Sequence, residues 1–294
     1  MNGLRIQQLR WRLAGRLPLA FGVSGAIATH LFSLRDADRL IGVARDHGVS
    51  IFDTGPSYGA GLGERRLGKC VGNDPSVFVM TKAGLMSSGL AQRTSNFAPQ
   101  SIVDSVEASL RRLRRDRIDL LWLHGPARDQ ITNALREMLC GLIDAGKVGA
   151  VGIASRNQPA SLLADTHPFS AIMAPVHEAR SSDYATPRQA VFFGIECLRN
   201  VPDDRGIPRH RSQIWRATRS IIRRQPPSPQ PISVEAAFGN AFKNARCAIA
   251  VTTSTRPSRI KQNCEICEAI ANRSPSRSDL GGDEVRSELH TRVQ

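Results

Sequence analysis

Residues 50–82 read SIFDTGPSYGAGLGERRLGKCVGNDPSVFVMTK, and this stretch decides the expected fold. It begins with a short apolar run at residues 50–54, continues through a segment with helical spacing at 63–71 and returns to an apolar run at 77–81. Two strands separated by a helix need a crossover connection, so the strands lie parallel. The stretch therefore predicts one strand–helix–strand unit of a parallel sheet.

The same alternation extends over most of the chain. The apolar runs are residues 19–24, 50–54, 77–81, 118–124, 148–154, 169–174, 195–198 and 248–252. The segments with helical spacing are residues 34–47, 63–71, 99–115, 132–145, 159–165, 186–193, 232–243 and 257–271. Eight such units predict an α/β protein, a closed (β/α)8 TIM barrel that forms a single domain over residues 1–271. An open doubly wound sheet would carry a glycine fingerprint in its first strand–helix turn, which residues 21–26 lack.

Composition agrees with one folded domain that carries a large positive charge. The 294 residues are 41% hydrophobic, which is enough for a large core and excludes a chain that is disordered throughout. Lys and Arg number 40 against 26 Asp and Glu, so the formal net charge is +14. Seven Arg and five Pro at residues 200–230 predict an irregular insertion, and the polar residues 272–294 predict a disordered tail.

The sequence predicts no segment that crosses a membrane. The longest uncharged stretch, residues 17–34, is short and is interrupted by Pro18 and two glycines. An arginine-rich start before an apolar run that ends in Ala-Ile-Ala also fits a signal peptide, but the same run is needed as the first strand. Six cysteines spread over a large chain favour the cytoplasm. Cys264 and Cys267 have metal-site spacing but no second pair, so no metal is predicted.

Ionisable side chains close three consecutive apolar runs. Asp53 lies at the end of the second run, Lys82 follows the third and His124 ends the fourth. Tyr58 lies in the loop five residues after Asp53. In a parallel barrel the carboxyl ends of the strands converge around one opening, where active sites lie. We therefore expect these four side chains to meet at one site.

Together these residue types can polarise a carbonyl group and protonate its oxygen. A tyrosine keeps its proton up to a pH of about 10 unless a cation lies nearby, and Lys82 can supply that cation. Asp53 is the expected counter-ion of a buried Lys82, and His124 can orient the oxygen that becomes negative. None of the four can deliver a hydride, so the reducing equivalent is expected from a cofactor such as a nicotinamide dinucleotide.

The segment FDTGPSYG at residues 52–59, followed by GERRLG at 63–68, resembles the second-strand signature of the aldo-keto reductases. It is closest to the branch that includes aldose and pyridoxal dehydrogenases. Further similar segments are Thr81-Lys82, Ser109-Leu110, Ile118-Asp119-Leu120, His124, Gly146-Lys147-Val148 and Val151-Gly152. The resemblance covers roughly residues 19–263. It implies that Tyr58 is the general acid/base, that Lys82 and Asp53 tune it, and that His124 orients the carbonyl.

The resemblance also implies a cofactor site without a Rossmann domain. Ser155 and Asn157 are similar to the family's residues after the fifth strand. Ser254, Arg259 and Asn263 are similar to the segment that holds the adenosine and its 2′-phosphate, and the planar fork of an arginine suits a phosphate. NADP(H) is the implied cofactor, with NAD possible. The implied activity is interconversion of a small aldehyde, ketone or sugar-like carbonyl compound and its alcohol, by a monomer or weak homo-oligomer.

Two alternatives remain open at this point. Met173 and Arg199 stand where the resemblance would place a glutamine and an aromatic ring against the nicotinamide, so one alternative is a degenerate barrel without turnover. The other is a basic nucleic-acid-binding protein, because arginines accompany Trp215 in the insertion. Those arginines are Arg205, Arg209, Arg211, Arg216, Arg219, Arg223 and Arg224. No recognised nucleic-acid-binding motif accompanies them, which makes nucleic acid the weaker interpretation.

Overall fold

The computed structural model describes residues 2–88, 92–156, 167–176, 190–202, 231–244 and 247–273. Its strands are β1 (Leu19–Gly22), β2 (Ile51–Asp53), β3 (Phe78–Ala83), β4 (Leu85–Ser88), β5 (Gln92–Ser95), β6 (Leu120–His124), β7 (Val151–Ala154), β8 (Phe169–Pro175), β9 (Val191–Ile195) and β10 (Ile249–Thr252). All except β4 and β5 pair in parallel and close one barrel in the order β1-β10-β9-β8-β7-β6-β3-β2. The predicted eight-stranded parallel barrel is therefore confirmed.

Helices pack against the outside of the barrel and, in the case of the first, against one of its ends. They are α1 (Asn2–Leu13), α2 (Leu34–Asp46), α3 (Leu62–Val71), α4 (Pro99–Leu113), α5 (Asn133–Asp144), α6 (Val234–Gly239) and α7 (Pro257–Asn272). Local sequence sets several of their starts: Ser33 and Asp36 form a capping box before α2, and the Thr132 and Ser233 hydroxyls cap α5 and α6. Pro257 occupies the first turn of α7, where its missing N–H costs nothing. The helix predicted at 159–165 lies outside the described residues.

The position of the seventh barrel strand differs from the one predicted from the sequence. Residues 195–198 were the expected strand and 186–193 the expected helix, but the strand is β9, Val191–Ile195. Its residues are almost entirely buried between β8 and β10. Short buried apolar runs fit either a strand or a helix by periodicity alone, which explains the error. Residues 186–189 and 203–230, the latter including the basic cluster around Trp215, lie outside the described part of the chain.

One helix and one strand hairpin have no counterpart in the sequence prediction. Helix α1 packs its buried Ile6, Leu9 and Leu13 against the side chains inside the barrel, and it contacts β8 and β9. Strands β4 and β5 pair as an antiparallel hairpin directly after β3. Because α1 lies at the amino-terminal ends of the strands, it closes that end and leaves the carboxyl-terminal end for a site.

Large apolar side chains fill the interior of the barrel below that site. Trp122 and Phe193 meet edge to face with ring centroids 5.1 Å apart, and Phe78 and Met80 lie in the same cluster. All four are fully buried. A second cluster fills the layer between strands and helices. The packed interior makes the strand ends above it a rigid support.

Candidate active site

A cleft of about 1140 Å³ opens at the carboxyl-terminal end of the barrel. The four side chains expected to meet there, Asp53, Tyr58, Lys82 and His124, all line it. Asp53 and His124 are the last residues of β2 and β6, and Lys82 is the penultimate residue of β3. The neighbouring registers of these three strands bring their ends together around the opening. No described helix is long and apolar enough to cross a membrane.

Lys82 and Asp53 form a buried ion pair in this cleft. Lys82 Nζ lies 2.6 Å from Asp53 Oδ1 and 2.5 Å from Oδ2, and it also donates to the Thr54 carbonyl oxygen at 2.9 Å. The two side chains are only 3% and 7% exposed. A charge so far from water needs a hydrogen-bonded partner, and each residue supplies one to the other.

The surroundings keep the Lys82 ammonium charged. Burial by itself lowers the pKa of Lys82, but the charges of Asp53 and Tyr58 and the hydrogen bonds to both raise it further than burial lowers it. The pKa of Lys82 therefore lies above its ordinary value of 10.5. At neutral pH the cleft presents a fixed positive charge at this point.

Tyr58 lies near both that ammonium and the His124 ring. Lys82 Nζ is 5.0 Å from the centroid of the Tyr58 ring, and the Tyr58 and His124 rings meet edge to face with centroids 6.3 Å apart. Gly59 follows in a left-handed conformation with φ +62°, and a Cβ atom there would lie 1.8 Å from the Ala28 carbonyl oxygen. Glycine at position 59 thus lets the loop that carries Tyr58 pack closely over the first strand–helix connection.

A second buried charge supports β3 from the opposite side. Successive side chains of a strand face opposite ways, so Thr81 points toward the helices while Lys82 faces the cleft. Thr81 Oγ1 donates to Glu64 Oε1 at 2.6 Å, and Arg112 Nε donates to Glu64 Oε2 at 2.5 Å. Glu64 is fully buried in the first turn of α3. It therefore joins α3, β3 and α4 and does not line the cleft.

The residues expected to hold a cofactor are only partly brought together. Ser155 lines the cleft. Ser254 is buried and hydrogen-bonds with the backbone of Arg256, in the turn that leads into α7. Arg259 lines a separate, smaller cavity. Asn263 is 2% exposed, and its Oδ1 accepts no hydrogen bond within the described residues. Asn157 lies outside the part of the chain that the structure describes.

Two features of the cleft were missed by sequence reasoning. Ser24 and Thr253 face each other across β1 and β10, with their hydroxyl oxygens 3.2 Å apart. Glu196, which has φ +58°, accepts from Arg156 and lies 3.8 Å from Arg199 Nη1. Glu196 directly follows β9. With the seventh strand predicted at the position of β9, its end would have indicated a carboxylate at the opening, as the end of the second apolar run indicated Asp53.

The fold and the cleft define a class: a parallel (β/α)8 barrel with a phenol, an ammonium, a carboxylate and an imidazole at the ends of its strands. Among known families, the model described as the Aldo/keto reductase family matches residues 19–173, just over half of the chain. The chain belongs to this family. The resemblance expected from residues 52–68 is thereby confirmed.

Curated relatives match about half of the chain or less. The chain is 34% identical over 169 residues to D-threo-aldose 1-dehydrogenase from a Pseudomonas species. The aligned region covers 48% of this chain and 51% of the relative. It is 36% identical over 119 residues to aldo-keto reductase YhdN from Bacillus subtilis, which covers 39% of this chain and 35% of the relative. The chain thus matches about half of the first relative's length and about a third of the second's.

Solved structures extend the likeness in fold beyond residue 173. Aldo-keto reductase AKR11C1 from Bacillus halodurans, in its holo form, superposes with a TM-score of 0.68 at 20% identity, covering 90% of this chain and 92% of that one. Glycerol dehydrogenase AKR11B4 from Gluconobacter oxydans gives 0.63 at 19% identity, covering 91% and 94%. At these identities the comparison concerns the fold alone.

Proposed function

We propose that the protein is an NADP(H)-dependent oxidoreductase that interconverts an aldehyde, ketone or sugar-like carbonyl compound and its alcohol, with Tyr58 as general acid/base. Family membership supports the class of reaction. One observation carries the assignment of the site: Lys82 Nζ, held by both oxygens of Asp53, lies 5.0 Å from the Tyr58 ring in an open cleft. A charged ammonium beside a phenol stabilises the negative charge that develops on the phenol oxygen as its proton is transferred.

The size of the cleft and the position of Ser155 in its wall support a dinucleotide site. The cleft of about 1140 Å³ exceeds the range of roughly 300–1,000 Å³ that accommodates most small ligands, so a cofactor and a small substrate can share it. Asn263 Oδ1, buried without a hydrogen-bond donor among the described residues, is suited to an amino group of the ligand. Ser155, Asn157, Ser254 and Arg259 complete the proposed cofactor set. NAD remains the second choice of cofactor.

The chain's own residues handle the oxygen of the substrate. When bound, the nicotinamide supplies the hydride. Tyr58 donates its hydroxyl proton to the carbonyl oxygen as negative charge develops there, and Lys82 stabilises the resulting phenolate. His124, beside Tyr58 at the opening, orients the same oxygen. In the reverse direction Tyr58 removes the proton from the alcohol. Asp53 acts on the reaction through Lys82 and is a positioning residue.

The experiment separates binding from chemistry. NADPH is titrated against intrinsic tryptophan fluorescence, and turnover of an aromatic aldehyde is then measured for the full chain and for Tyr58→Phe. We expect saturable quenching in both proteins and a fall in kcat of about 100- to 10,000-fold in the variant, the usual contribution of a general acid. Tyr184→Phe changes the only other tyrosine of the chain and is the matched control.

Each other outcome contradicts part of the proposal. Retained turnover in Tyr58→Phe would refute the role of Tyr58. Saturable quenching without turnover by the unmodified chain, over a panel of aldehydes, ketones and aldoses, would favour the degenerate barrel. If neither NADPH nor NADH quenched the fluorescence, the proposed cofactor would be rejected.

We further propose a cytoplasmic location, which the six free cysteines support, and a monomer or weak homo-oligomer.

A further inference from the structure

A cysteine, a histidine and an arginine meet where α1, α5 and the start of β8 come together. Cys140 lies on α5, His167 lies two residues before β8, and Arg5 lies on α1. Cys140 Sγ is 3.8 Å from His167 Nδ1, and Arg5 Nη1 donates to the same sulfur at 3.9 Å. The thiol therefore contacts both a group that can accept its proton and a guanidinium charge.

Neighbouring side chains hold both partners against the thiol. Arg5 Nη2 donates to Asp144 Oδ1 at 3.3 Å, and Asp144 lies about one helical turn after Cys140 on α5. Arg136, about one turn before Cys140, donates from Nη1 to the His167 carbonyl oxygen at 2.5 Å. Side chains four residues apart share a helix face, so α5 presents Arg136, Cys140 and Asp144 together.

The imidazole of His167 has the Cys140 thiol as its one hydrogen-bond partner among the described residues. Its other nitrogen, Nε2, is buried and makes no hydrogen bond within that part of the chain. A second hydrogen bond would fix which ring nitrogen carries the proton. Since no such bond is made there, Nδ1 can take a proton from the sulfur and give it back.

The exposure of Cys140 also distinguishes it from most cysteines of the chain. All six thiols are free, and the four that are buried are Cys197, Cys247, Cys264 and Cys267. The other half-buried thiol is Cys70 on α3. Burial, together with the hydrogen bond and the charge of Asp38, raises the pKa of Cys70 to about 12. Cys140 and Cys70 are thus both half-buried, but cationic and basic groups surround the first and a carboxylate lies beside the second.

We propose that Cys140 is a nucleophilic thiol that forms a mixed disulfide with a small disulfide such as oxidised glutathione. His167 Nδ1 accepts the thiol proton, and Arg5 stabilises the thiolate, which is the reactive form of cysteine. The thiolate attacks one sulfur of the small disulfide, whose S–S bond breaks as the new bond to Cys140 forms. The other half leaves as a thiolate and takes the proton from His167, so Cys140 is oxidised and the leaving sulfur is reduced.

This site is separate from the cleft. It lies where β8 begins, at the amino-terminal end of the barrel, while the cleft opens at the carboxyl-terminal end. The exchange uses none of the proposed catalytic residues and no nicotinamide, so it does not depend on the proposed oxidoreductase function. The modification is reversible, because a free small thiol regenerates Cys140 by the same exchange.

The rate of mixed-disulfide formation tests the site. The full chain is incubated with excess oxidised glutathione at pH 7, and the modified cysteines are identified by peptide mass mapping at successive times. We expect Cys140 to react about tenfold or more faster than Cys70. His167→Gln and Arg5→Gln should each slow the reaction at Cys140 by about fivefold or more and leave the rate at Cys70 unchanged. Arg5→Lys keeps the charge and should retain most of the rate.

The buried cysteines report whether a variant still folds. Cys264 and Cys267 should stay unmodified in every protein compared. If His167→Gln exposed them, the rates at Cys140 and Cys70 in the unmodified chain and in Arg5→Gln would still decide the question.

Several results would overturn the proposal. One is a Cys140 that reacts no faster than Cys70, and another is an equal rate at Cys140 in the unmodified chain and in both glutamine variants. Iodoacetamide, a neutral alkylating reagent, should show the same preference for Cys140, because the preference arises from the thiol and not from the reagent. Alkylation of Cys140 without any mixed disulfide would overturn the exchange.

Discussion

The ion pair of Asp53 and Lys82 decides how the cleft responds to substitution. Both groups are buried and each relies on the other, so removal of one leaves an uncompensated charge. We expect Asp53→Asn to lower the free energy of unfolding at pH 7 by about 3–5 kcal/mol, the usual cost of breaking a buried pair. Urea denaturation followed by circular dichroism measures this loss.

A double variant distinguishes the charge from the packing. Asp53→Leu with Lys82→Met removes both charges and leaves side chains of similar volume, so it should regain most of the stability that Asp53→Asn loses. Asp46→Asn, at the exposed end of α2, controls for the loss of one carboxylate. If the double variant were as unstable as Asp53→Asn, the stabilisation at this position would come from shape and not from charge.

At the scale of elements, α1 is the part of the fold whose contribution can be measured most directly. Its Leu9 is 2% exposed against the barrel interior, and its Leu4 is 60% exposed on the opposite face. Leu9→Ala should lower the free energy of unfolding by about 2–5 kcal/mol, since it leaves a cavity. Leu4→Ala should change it by less than about 0.5 kcal/mol. Similar losses in both variants, measured in urea, would mean that α1 does not close the barrel as described.

The same helix shows why some elements escape prediction from sequence. Strands β1, β2 and β3 and helices α2 to α5 were located to within about three residues, because apolar runs and caps repeat along that part of the chain. The buried face of α1 is only three side chains, Ile6, Leu9 and Leu13, among several arginines. The apolar pattern of α1 can be interpreted only when the barrel end that the helix covers is known. Tertiary packing, and not helical propensity, places α1 at that end.

The candidate active site likewise contains some residues that the sequence could predict and others that it could not. Asp53, Lys82 and His124 could be expected together because each closes a strand, and parallel strands end at the same edge of the barrel. The pairing of Arg156 with Glu196 could not be expected, because β9 had been placed four residues too late. The support of Thr81 by Glu64 depends on how α3 and α4 pack, which no local pattern records.

For the molecule as a whole, the cysteines predict how stability depends on pH. Burial raises the pKa of the Cys197 thiol from 9.0 to about 12. Burial, with the charges of Glu265 and Glu268, raises the pKa of Cys264 to about 11. In the unfolded chain these thiols ionise near pH 9.0, while in the folded chain they keep their protons. The folded state therefore binds more protons above pH 9.0, and the stability it has below that pH is progressively lost as pH rises.

Of these two thiols, Cys197 contributes the larger part because its pKa is raised further, to about 12 against about 11 for Cys264. A fully buried thiol loses about 1.4 kcal/mol of stability per pH unit between its unfolded and folded pKa values. The free energy of unfolding in urea, measured at intervals from pH 8 to pH 11, should fall with pH. In Cys197→Ala it should fall less steeply above pH 9, by up to about 1.4 kcal/mol per pH unit. Lys82, whose pKa is raised above its ordinary value of 10.5, adds a further loss that begins only as the pH passes 10.5. If the free energy of unfolding fell with pH equally steeply in Cys197→Ala and in the unmodified chain, water would reach the Cys197 thiol in the folded state. The wall of the cleft at the end of β9 would then be more open than the buried position of Cys197 indicates.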